Sequence, residues 1–423
     1  MAVTTTSLLE AVAAGCPASR AGNPGDRFAG RDPAVVAVPS SAAEVADVLR
    51  ASAPSGAAVA VRGGGTKTGL GPPPRSLDLL IETGSLDRIV EYDPGDLVVR
   101  AQAGVRVETL QELLGGSGQW LALDPPERDA TLGGLVAANS SGPRRHRYGT
   151  VRDLLIGAAF VLADGTGAHA GGKVVKNVAG YDLCKLLTGS FGTLAVITEV
   201  TFRLHPRPAA GAAVAVAIDR PAAAGAALRA LLATHLEPSA VEVDLDGGDG
   251  RGTLVVLFEG LPAAVEHQAR AAQQLLDGDS LTGDDGTAAL PAWWGRHPWT
   301  SDDVGLRIAY QPAALEGALA AVSASCADAE RLRVRGRAAV GVLEIGAGVA
   351  GKTISTSLER LRRDLEQLDG TAVVTHLPGA RPGAEEDAVD RWGPVRGLPL
   401  MRAVKDRFDP DHRLAPGRFV GGI

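Results

Sequence analysis

The sequence Arg-Gly-Gly-Gly-Thr-Lys-Thr-Gly-Leu-Gly (residues 62–71) follows a short apolar run, residues 57–61, which predicts a buried strand. Five of the nine residues from Gly63 to Gly71 are glycine. Because glycine has no Cβ, such a loop can bring consecutive backbone N–H groups against an anion. The stretch therefore predicts a pyrophosphate-binding loop; the alternative, in a chain with 54 glycines, is a flexible surface loop.

Two common phosphate loops do not fit these residues. The dinucleotide pattern G-x-G-x-x-G fails because Thr68 stands where the third glycine is needed, and the P-loop pattern fails because Thr66 precedes Lys67. The three prolines at 72–74 exclude a helix that could begin directly after the loop and hold a phosphate. The Rossmann and P-loop classes are therefore excluded for this segment.

Composition limits the class of protein. The chain has 423 residues, a net charge of −7 and no run of 18 apolar residues, which argues against nucleic-acid binding and predicts no membrane span. Its three cysteines are far apart and its histidines lack ligand spacing, so we expect no metal site and no iron–sulfur cluster. Without a basic leader, and with unpaired cysteines, the chain is expected to be cytoplasmic.

Around the glycine loop, residues 34–71 read as strand, helix, strand and loop, with a capping box that begins the helix at Ser41. Further strands and short helices are predicted up to about residue 204. Residues 207–385 alternate helices with strands, and residues 398–408 predict a last helix. The pattern favours an α+β protein of more than one domain.

Two later segments are small and polar. Residues 130–142 (Ala-Thr-Leu-Gly-Gly-Leu-Val-Ala-Ala-Asn-Ser-Ser-Gly) suit either a tightly packed helix start or a wall of backbone N–H groups against a planar ligand. Residues 173–183 (Lys-Val-Val-Lys-Asn-Val-Ala-Gly-Tyr-Asp-Leu) place Lys176 beside Asn177 before a short helix; Lys176 is either a site residue or a solvated surface lysine. Gly-Ser-Phe-Gly-Thr (189–193) then turns into a β-branched strand.

The order and spacing of these segments resemble the FAD-binding domain of the vanillyl-alcohol oxidase and p-cresol methylhydroxylase-type flavoproteins. Within that family the chain most resembles the FAD-binding subunits of bacterial glycolate oxidase complexes, through residues 171–190 and the C-terminal residues 402–419. The resemblance implies an FAD-binding domain at residues 1–206 (core 34–206), an α+β cap at 207–385, and a segment at 386–423 that returns to the FAD domain.

The resemblance also implies the residues that hold the cofactor. Gly63–Thr66 and Gly69 would bind the pyrophosphate through backbone N–H groups, residues of the 131–142 segment would line the diphosphate and isoalloxazine, and Gly192 and Ile197 would meet the nucleotide half. No histidine or cysteine lies in the 62–71 loop, so FAD is expected to bind non-covalently. The expected cofactor-binding residues are Arg62, Gly63, Gly64, Gly65, Thr66, Gly69, Thr131, Gly133, Gly134, Asn139, Gly142, Lys176, Gly192 and Ile197.

Two departures from the family affect the expected function. Relatives that oxidise 2-hydroxy acids directly tend to carry an acidic residue where Phe191 stands, and a histidine cluster that this chain lacks. The resemblance therefore implies an oxidoreductase subunit with a paralogous FAD-linked catalytic subunit and an iron–sulfur subunit as partners. The alternatives are a stand-alone 2-hydroxy-acid dehydrogenase and a catalytically silent FAD-holding subunit. No catalytic residue is identified.

A second glycine-rich stretch, residues 346–353, matches the P-loop pattern and is a decoy. Only about 70 residues follow it, too few for the remaining strands of a P-loop domain, and the next predicted strand, 371–375, lacks the acidic residue that would hold Mg²⁺. We expect no nucleotide triphosphate at this position.

Overall fold

The structure, a computed structural model, describes residues 4–173, 180–246, 248–281, 283, 287–348, 351–378 and 389–423, without the side chains of 351–353. The predicted site residue Lys176 and part of the P-loop-like stretch, residues 349 and 350, lie outside the described residues. The chain divides into two compact units: unit 1 is Met1–Ser140, Thr150–Arg207 and Pro394–Ile423, and unit 2 is Ser141–Gly149 and Pro208–Gly393. The three-part division expected from the sequence stays a prediction.

The described residues form twelve helices: α1 (Thr5–Ala13), α2 (Ala42–Ser52), α3 (Val107–Gly115), α4 (Leu132–Ala138), α5 (Arg145–Tyr148), α6 (Val151–Leu154), α7 (Leu183–Leu187), α8 (Pro221–Leu232), α9 (Pro262–Leu276), α10 (Leu315–Ser325), α11 (Gly351–Glu366) and α12 (Leu398–Phe408).

The strands of the described residues are β1 (Arg20–Ala21), β2 (Val35–Ala37), β3 (Val59–Arg62), β4 (Leu79–Glu82), β5 (Ile89–Asp93), β6 (Val98–Gln102), β7 (Gln119–Trp120), β8 (Leu155–Val161), β9 (Gly167–Gly171), β10 (Val196–Arg203), β11 (His205–Pro206), β12 (Ala210–Ile218), β13 (Ala240–Asp246), β14 (Arg251–Gly260), β15 (Asp279–Leu281), β16 (Val304–Ala309), β17 (Leu332–Arg337), β18 (Val342–Ala347) and β19 (Thr371–His376).

Unit 1 contains a small parallel sheet that positions the glycine loop. The strand order is β1-β2-β4-β3, with β2 and β3 both parallel to β4. Helix α2 begins at its Ser41 cap, whose hydroxyl accepts the Glu44 N–H, and buries Val45, Val48 and Leu49 against the strands. Because a parallel connection requires a crossover helix, the predicted strand–helix–strand unit follows directly from this pattern.

The C-terminal segment, residues 398–423, joins this sheet. Val59 donates its N–H to the Arg413 carbonyl at 2.8 Å, and Ala415 donates to the Val59 carbonyl at 2.7 Å, so the segment runs parallel beside β3. A second sheet of unit 1, β5-β6-β10-β8-β9, is antiparallel throughout. Helix α4 packs against β10 of this sheet.

Unit 2 is built on an eight-stranded antiparallel sheet of order β15-β12-β14-β13-β17-β18-β16-β19. One face is apolar and packs on α8, α9, α10 and α11, with Val243, Val256 and Leu361 in its core. Because successive side chains along a strand point to opposite faces, the residues between the core positions lie on the other face of the sheet. These are alanines and valines at one end of the sheet and charged side chains on β13, β17, β18 and β16. The predicted α+β class is confirmed.

None of the helices in the described ranges is long and apolar enough to span a lipid bilayer.

Candidate functional site

A cleft open to solvent lies in unit 1 between the glycine loop, α4 and the turn before β10. The cleft is lined by Phe28, Val61, Arg62, Gly63, Gly64, Gly65, Thr66, Lys67, Thr68, Thr83, Thr131, Gly133, Gly134, Ala137, Ala138, Phe191, Gly192, Ala195, Ile197 and Arg418.

The glycine loop presents open hydrogen-bond donors to this cleft. The backbone N–H groups of Gly64, Gly65 and Thr66 meet no acceptor within the described part of the chain. The loop closes behind them, where Thr68 donates its N–H and its hydroxyl to the Gly65 carbonyl at 3.4 and 3.2 Å. Consecutive unpaired N–H groups on a concave backbone make an anion-binding nest. The pyrophosphate-binding role of this loop stays a prediction.

Close approach explains why two of these positions are glycine. A Cβ at Gly63 would stand 2.2 Å from the Thr131 hydroxyl oxygen, and a Cβ at Gly64 would stand 2.0 Å from the Asp129 carbonyl oxygen. Both distances are far below van der Waals contact, so any larger residue would displace the loop. Gly65 differs, because its φ of +73° rather than crowding favours glycine there.

The charge of Arg62 is already used within unit 1. Its guanidinium forms an ion pair with Glu82 and donates to the carbonyls of Asp26 and Arg27 at 3.2 and 3.3 Å. Asp26 is bound in turn by Arg20 at 2.5 and 2.7 Å, and this hydrogen bonding lowers the pKa of Asp26 to about 2. Arg62 therefore lines the cleft as a brace for the loop.

Helix α4 corrects one of the two readings of residues 130–142. The wall of free N–H groups is wrong, because the first donors of α4 are taken: Leu132 and Gly133 donate to the Val105 and Ala103 carbonyls at 2.9 and 2.7 Å. Gly134 donates to the Thr131 hydroxyl at 3.4 Å. The segment is a capped helix start whose small residues let β6 approach closely, since a Cβ at Gly133 would lie 2.7 Å from that of Ala103.

The turn before β10 forms the far wall of the cleft. Gly189, Phe191 and Gly192 have φ of +79°, +55° and +69°, and Gly189 and Phe191 donate to the Val136 and Ala137 carbonyls of α4 at 2.9 and 3.0 Å. A left-handed φ is rare for a bulky aromatic residue and costs roughly 1–3 kcal/mol. Phe191 keeps it while its ring packs on Phe419, with centroids 5.7 Å apart.

Unpaired polar atoms beside the cleft provide a test of whether a cofactor fits. Asn139 Oδ1 and Ser190 Oγ are buried without a hydrogen-bond partner among the described residues, and both adjoin residues that line the cleft. The N–H of Gly192 also meets no acceptor in the described ranges. Buried polar groups of native proteins are almost always paired, so these groups fit a ligand with many polar atoms.

Ten of the fourteen residues expected from the sequence line the cleft. Gly69 and Asn139 do not line it, Gly142 belongs to unit 2, and Lys176 lies outside the described residues. Their part in cofactor binding stays a prediction. Sequence reasoning missed Phe28, Thr83, Phe191 and Arg418, which reach the cleft only through the fold; Phe191 alone had a signal, as an aromatic residue within a glycine turn.

Lys67 lines the cleft but forms an ion pair with Glu127, which also accepts the Ser140 hydroxyl at 2.8 Å. Two arginines of the basic run 144–147 are engaged within unit 2. Arg144 binds the Glu259 carboxylate at 2.8 and 3.1 Å, and Arg147 donates to the Glu259 carbonyl at 2.7 Å.

The charged face of the unit 2 sheet is a network of ion pairs. Arg307 and Arg337 each donate to Glu344 Oε1 at 2.9 Å, and Arg335 and Arg333 donate to Asp244 at 2.9 and 2.8 Å. Burial alone would raise the pKa of Glu344, but the charges of Arg307 and Arg337 and the hydrogen bond from His297 hold it well below its usual range.

Within the described ranges, no group of three or more His, Cys, Asp or Glu side chains is arranged so that it could hold a metal ion.

Comparison with known proteins identifies part of the chain. Residues 33–171 match the family described as FAD binding domain. The chain is 33% identical over 237 residues to glycolate oxidase subunit GlcE of Escherichia coli (strain K12), covering 53% of this chain and 61% of that protein. It is 38% identical over 173 residues to D-lactate dehydrogenase of Archaeoglobus fulgidus, covering 41% and 39%.

Among solved structures, p-cresol methylhydroxylase with substrate bound superposes with a TM-score of 0.73 at 15% identity, covering 98% of this chain and 96% of that one. At this identity the likeness establishes the fold, and the predicted p-cresol methylhydroxylase-type fold is confirmed. The matches to the two curated relatives span 61% and 39% of their lengths.

Proposed function

We propose, from the match of residues 33–171 to the FAD binding domain family, that this protein is an FAD-dependent oxidoreductase of a complex that oxidises glycolate or a similar 2-hydroxy acid. The likeness to glycolate oxidase subunit GlcE supports the subunit role. The single observation that carries the proposal is the run of N–H groups at Gly64, Gly65 and Thr66, which have no acceptor among the described residues and belong to residues that line the cleft.

In this proposal the chain's own residues bind and orient FAD. The N–H groups of residues 64–66 hold the pyrophosphate, and the Gly192 N–H and Ile197 meet the nucleotide half. Thr131, Gly133 and Gly134 supply a close-packed wall, with Asn139 and Ser190 oxygens as further hydrogen-bonding groups. Bound FAD would supply two-electron redox chemistry to the complex.

The binding is proposed to be reversible. The three cysteines are free and buried, and burial raises the pKa of Cys184 and Cys326 to about 11, which disfavours the thiolate that a covalent bond would need. We expect flavin to stay in the supernatant when the protein is precipitated with acid. Flavin that remains with the pellet would contradict this.

The proposed partners follow from what the chain's residues do not supply. With three cysteines in the whole sequence, an iron–sulfur relay belongs to another subunit, and the lack of a histidine cluster assigns the substrate chemistry to a paralogous FAD-linked subunit. A cytoplasmic complex, held at a membrane only through partners, is part of this proposal.

A second candidate is a subunit that holds FAD without catalysis. The observation that favours it is the ion-pair network of unit 2, in which Arg307, Arg335 and Arg337 are each bound by a carboxylate of the chain. These arginines are therefore poorly suited to bind a substrate carboxylate.

One experiment tests the proposal and separates the candidates. The purified chain is loaded with FAD, its stoichiometry is measured, and anaerobic bleaching by glycolate or D-lactate is followed at the flavin absorption band. A chain that takes up no FAD refutes the proposal. Bleaching by the chain alone indicates a stand-alone dehydrogenase, bleaching only with the paralogous subunit supports the subunit role, and FAD uptake without bleaching in either case supports the silent subunit.

A further inference from the structure

The C-terminal segment touches both loops of the FAD cleft. Arg418 donates from Nη1 to the carbonyls of Thr68 and Pro72, each at 3.0 Å, and so holds the end of the glycine loop. Phe419 packs on Phe191 of the opposite turn, with ring centroids 5.7 Å apart. The same short stretch of backbone thus spans the two walls of the cleft.

A buried lysine makes the second link. Lys405 on α12 is 1% exposed, and its ammonium donates to the Thr193 carbonyl at 2.7 Å, to Asp409 at 2.6 Å and to the Leu414 carbonyl at 2.9 Å. Its three N–H donors are therefore all used. Leu414 bridges to Val59 on β3, and Thr193 follows Gly192, so one side chain joins the strand before the glycine loop to the turn on the other side.

Asp409 holds this lysine in place. It is fully buried and also accepts the N–H groups of Arg413 and Leu414, at 3.0 and 2.7 Å. Burial lowers the pKa of Lys405, while the Asp409 charge opposes that shift. An ion pair buried this fully contributes little net stability, and its best-attested use is to specify one geometry.

We infer that the C-terminal segment sets the spacing between the two loops that hold FAD, with Lys405 as a positioning residue that does not itself line the cleft. The inference rests on the proposed function, because FAD is the ligand whose affinity it controls. Arg418 does line the cleft, so Lys405 is the residue whose removal separates positioning from direct contact with FAD.

The chain offers a matched control on the same segment. Arg413 is also buried, 3% exposed, and it also donates to backbone carbonyls, those of Ala57, Leu49 and Ala163, and to Ser52 Oγ. None of its acceptors lines the cleft. Replacing Arg413 therefore removes a comparable buried cation without changing either loop.

The experiment titrates folded apoprotein with FAD, following flavin fluorescence, at a temperature well below each variant's Tm. Lys405→Met is expected to raise the Kd for FAD about tenfold or more and to alter the visible circular dichroism of bound FAD. Arg413→Met is expected to lower Tm while leaving the Kd and the spectrum of bound FAD unchanged. If the segment had a purely structural role, the two variants would change the Kd for FAD equally.

Equal Kd values for wild type and Lys405→Met overturn the inference, as does an equal loss of affinity in both variants. If Lys405→Met does not fold, Phe419→Leu replaces it: a raised Kd supports the inference and an unchanged Kd overturns it. If Arg413→Met does not fold, Ser52→Ala serves as the control instead, because it removes one acceptor of Arg413. Failure of the wild-type chain to bind FAD would instead refute the proposed function, so the two failures are distinguishable.

Discussion

The cleft of unit 1 and the charged sheet face of unit 2 differ in how their polar groups are paired. The cleft exposes backbone donors at Gly64, Gly65 and Thr66 that meet no acceptor among the described residues. The sheet face gathers Arg307, Arg337 and Glu344 into pairs. A solvent-exposed N–H can exchange its water for a ligand oxygen, whereas the carboxylates of a buried ion-pair network are bound by arginines as soon as the protein folds. The difference teaches which region is built for a ligand and which is built to hold one shape.

The strongest way to break this comparison is to close the open loop. Gly64→Ala places a Cβ 2.0 Å from the Asp129 carbonyl oxygen, so the loop must move and its N–H groups move with it. We expect complete loss of FAD retention with unchanged far-ultraviolet circular dichroism.

The matched control is Gly167→Ala on β9, where a Cβ meets no atom within 4 Å. It should retain FAD like the wild type. Retention of FAD by Gly64→Ala at wild-type stoichiometry would show that the loop donors do not hold the cofactor.

The second test removes one carboxylate from the ion-pair network of unit 2. Glu344→Gln leaves Arg307 and Arg337 without their common carboxylate in a buried site, and loss of one partner of a buried pair costs about 3 kcal/mol or more. Urea unfolding should show this loss in the free energy of unfolding.

Glu316→Gln serves as the control, because Glu316 pairs with Arg229 at 3.8 Å with both side chains about half exposed. That change should cost about 0.5 kcal/mol or less. If the two variants were equally stable, the unit 2 network would not be the rigid counterpart described above.

The smallest expected effect concerns the charged brace behind the cleft. Asp26 has a pKa of about 2 in the folded protein because Arg20 binds it, against about 3.9 in an unfolded chain. Its stabilising contribution is therefore complete above about pH 4 and is lost as the pH falls through about 2.

Between these pH values the free energy of unfolding should fall by about 1–2 kcal/mol more in the wild type than in Asp26→Asn, measured by chemical denaturation at each pH. Asp87→Asn, an exposed carboxylate of the same unit, should follow the wild-type profile. Identical profiles for wild type and Asp26→Asn would remove Asp26 from the brace.

The sequence predicted the parts of this molecule whose causes are local. Helix α2 begins after the predicted Ser41 cap and Leu398–Phe408 has the predicted helix limits, because capping, apolar periodicity and flanking proline act within a few residues. The glycine loop was predicted from its own composition, although Thr131, Asp129 and Arg418 from distant parts of the chain also fix its position.

The sequence did not predict β16 and β17, or the supports of the cleft. Strand β17 alternates arginines with apolar residues, and its arginines become acceptable in a sheet only when Asp244 and Glu344 arrive from other strands. The contacts of Lys405 and Arg418 depend on residues more than 200 positions away, which no local pattern records.

The strand pairing of the C-terminal segment has a consequence for how the protein is made. Arg413 and its acceptor at Ala57 are 356 positions apart, and most of unit 2 lies between them in the chain. During synthesis the glycine loop and β3 emerge early but gain this neighbour only after unit 2 has been translated. Contacts of such long separation form late and slowly. We expect the nascent chain to acquire tight FAD binding only after the C-terminal segment has emerged from the ribosome and paired with β3, which makes cofactor uptake a marker of completed folding in unit 1.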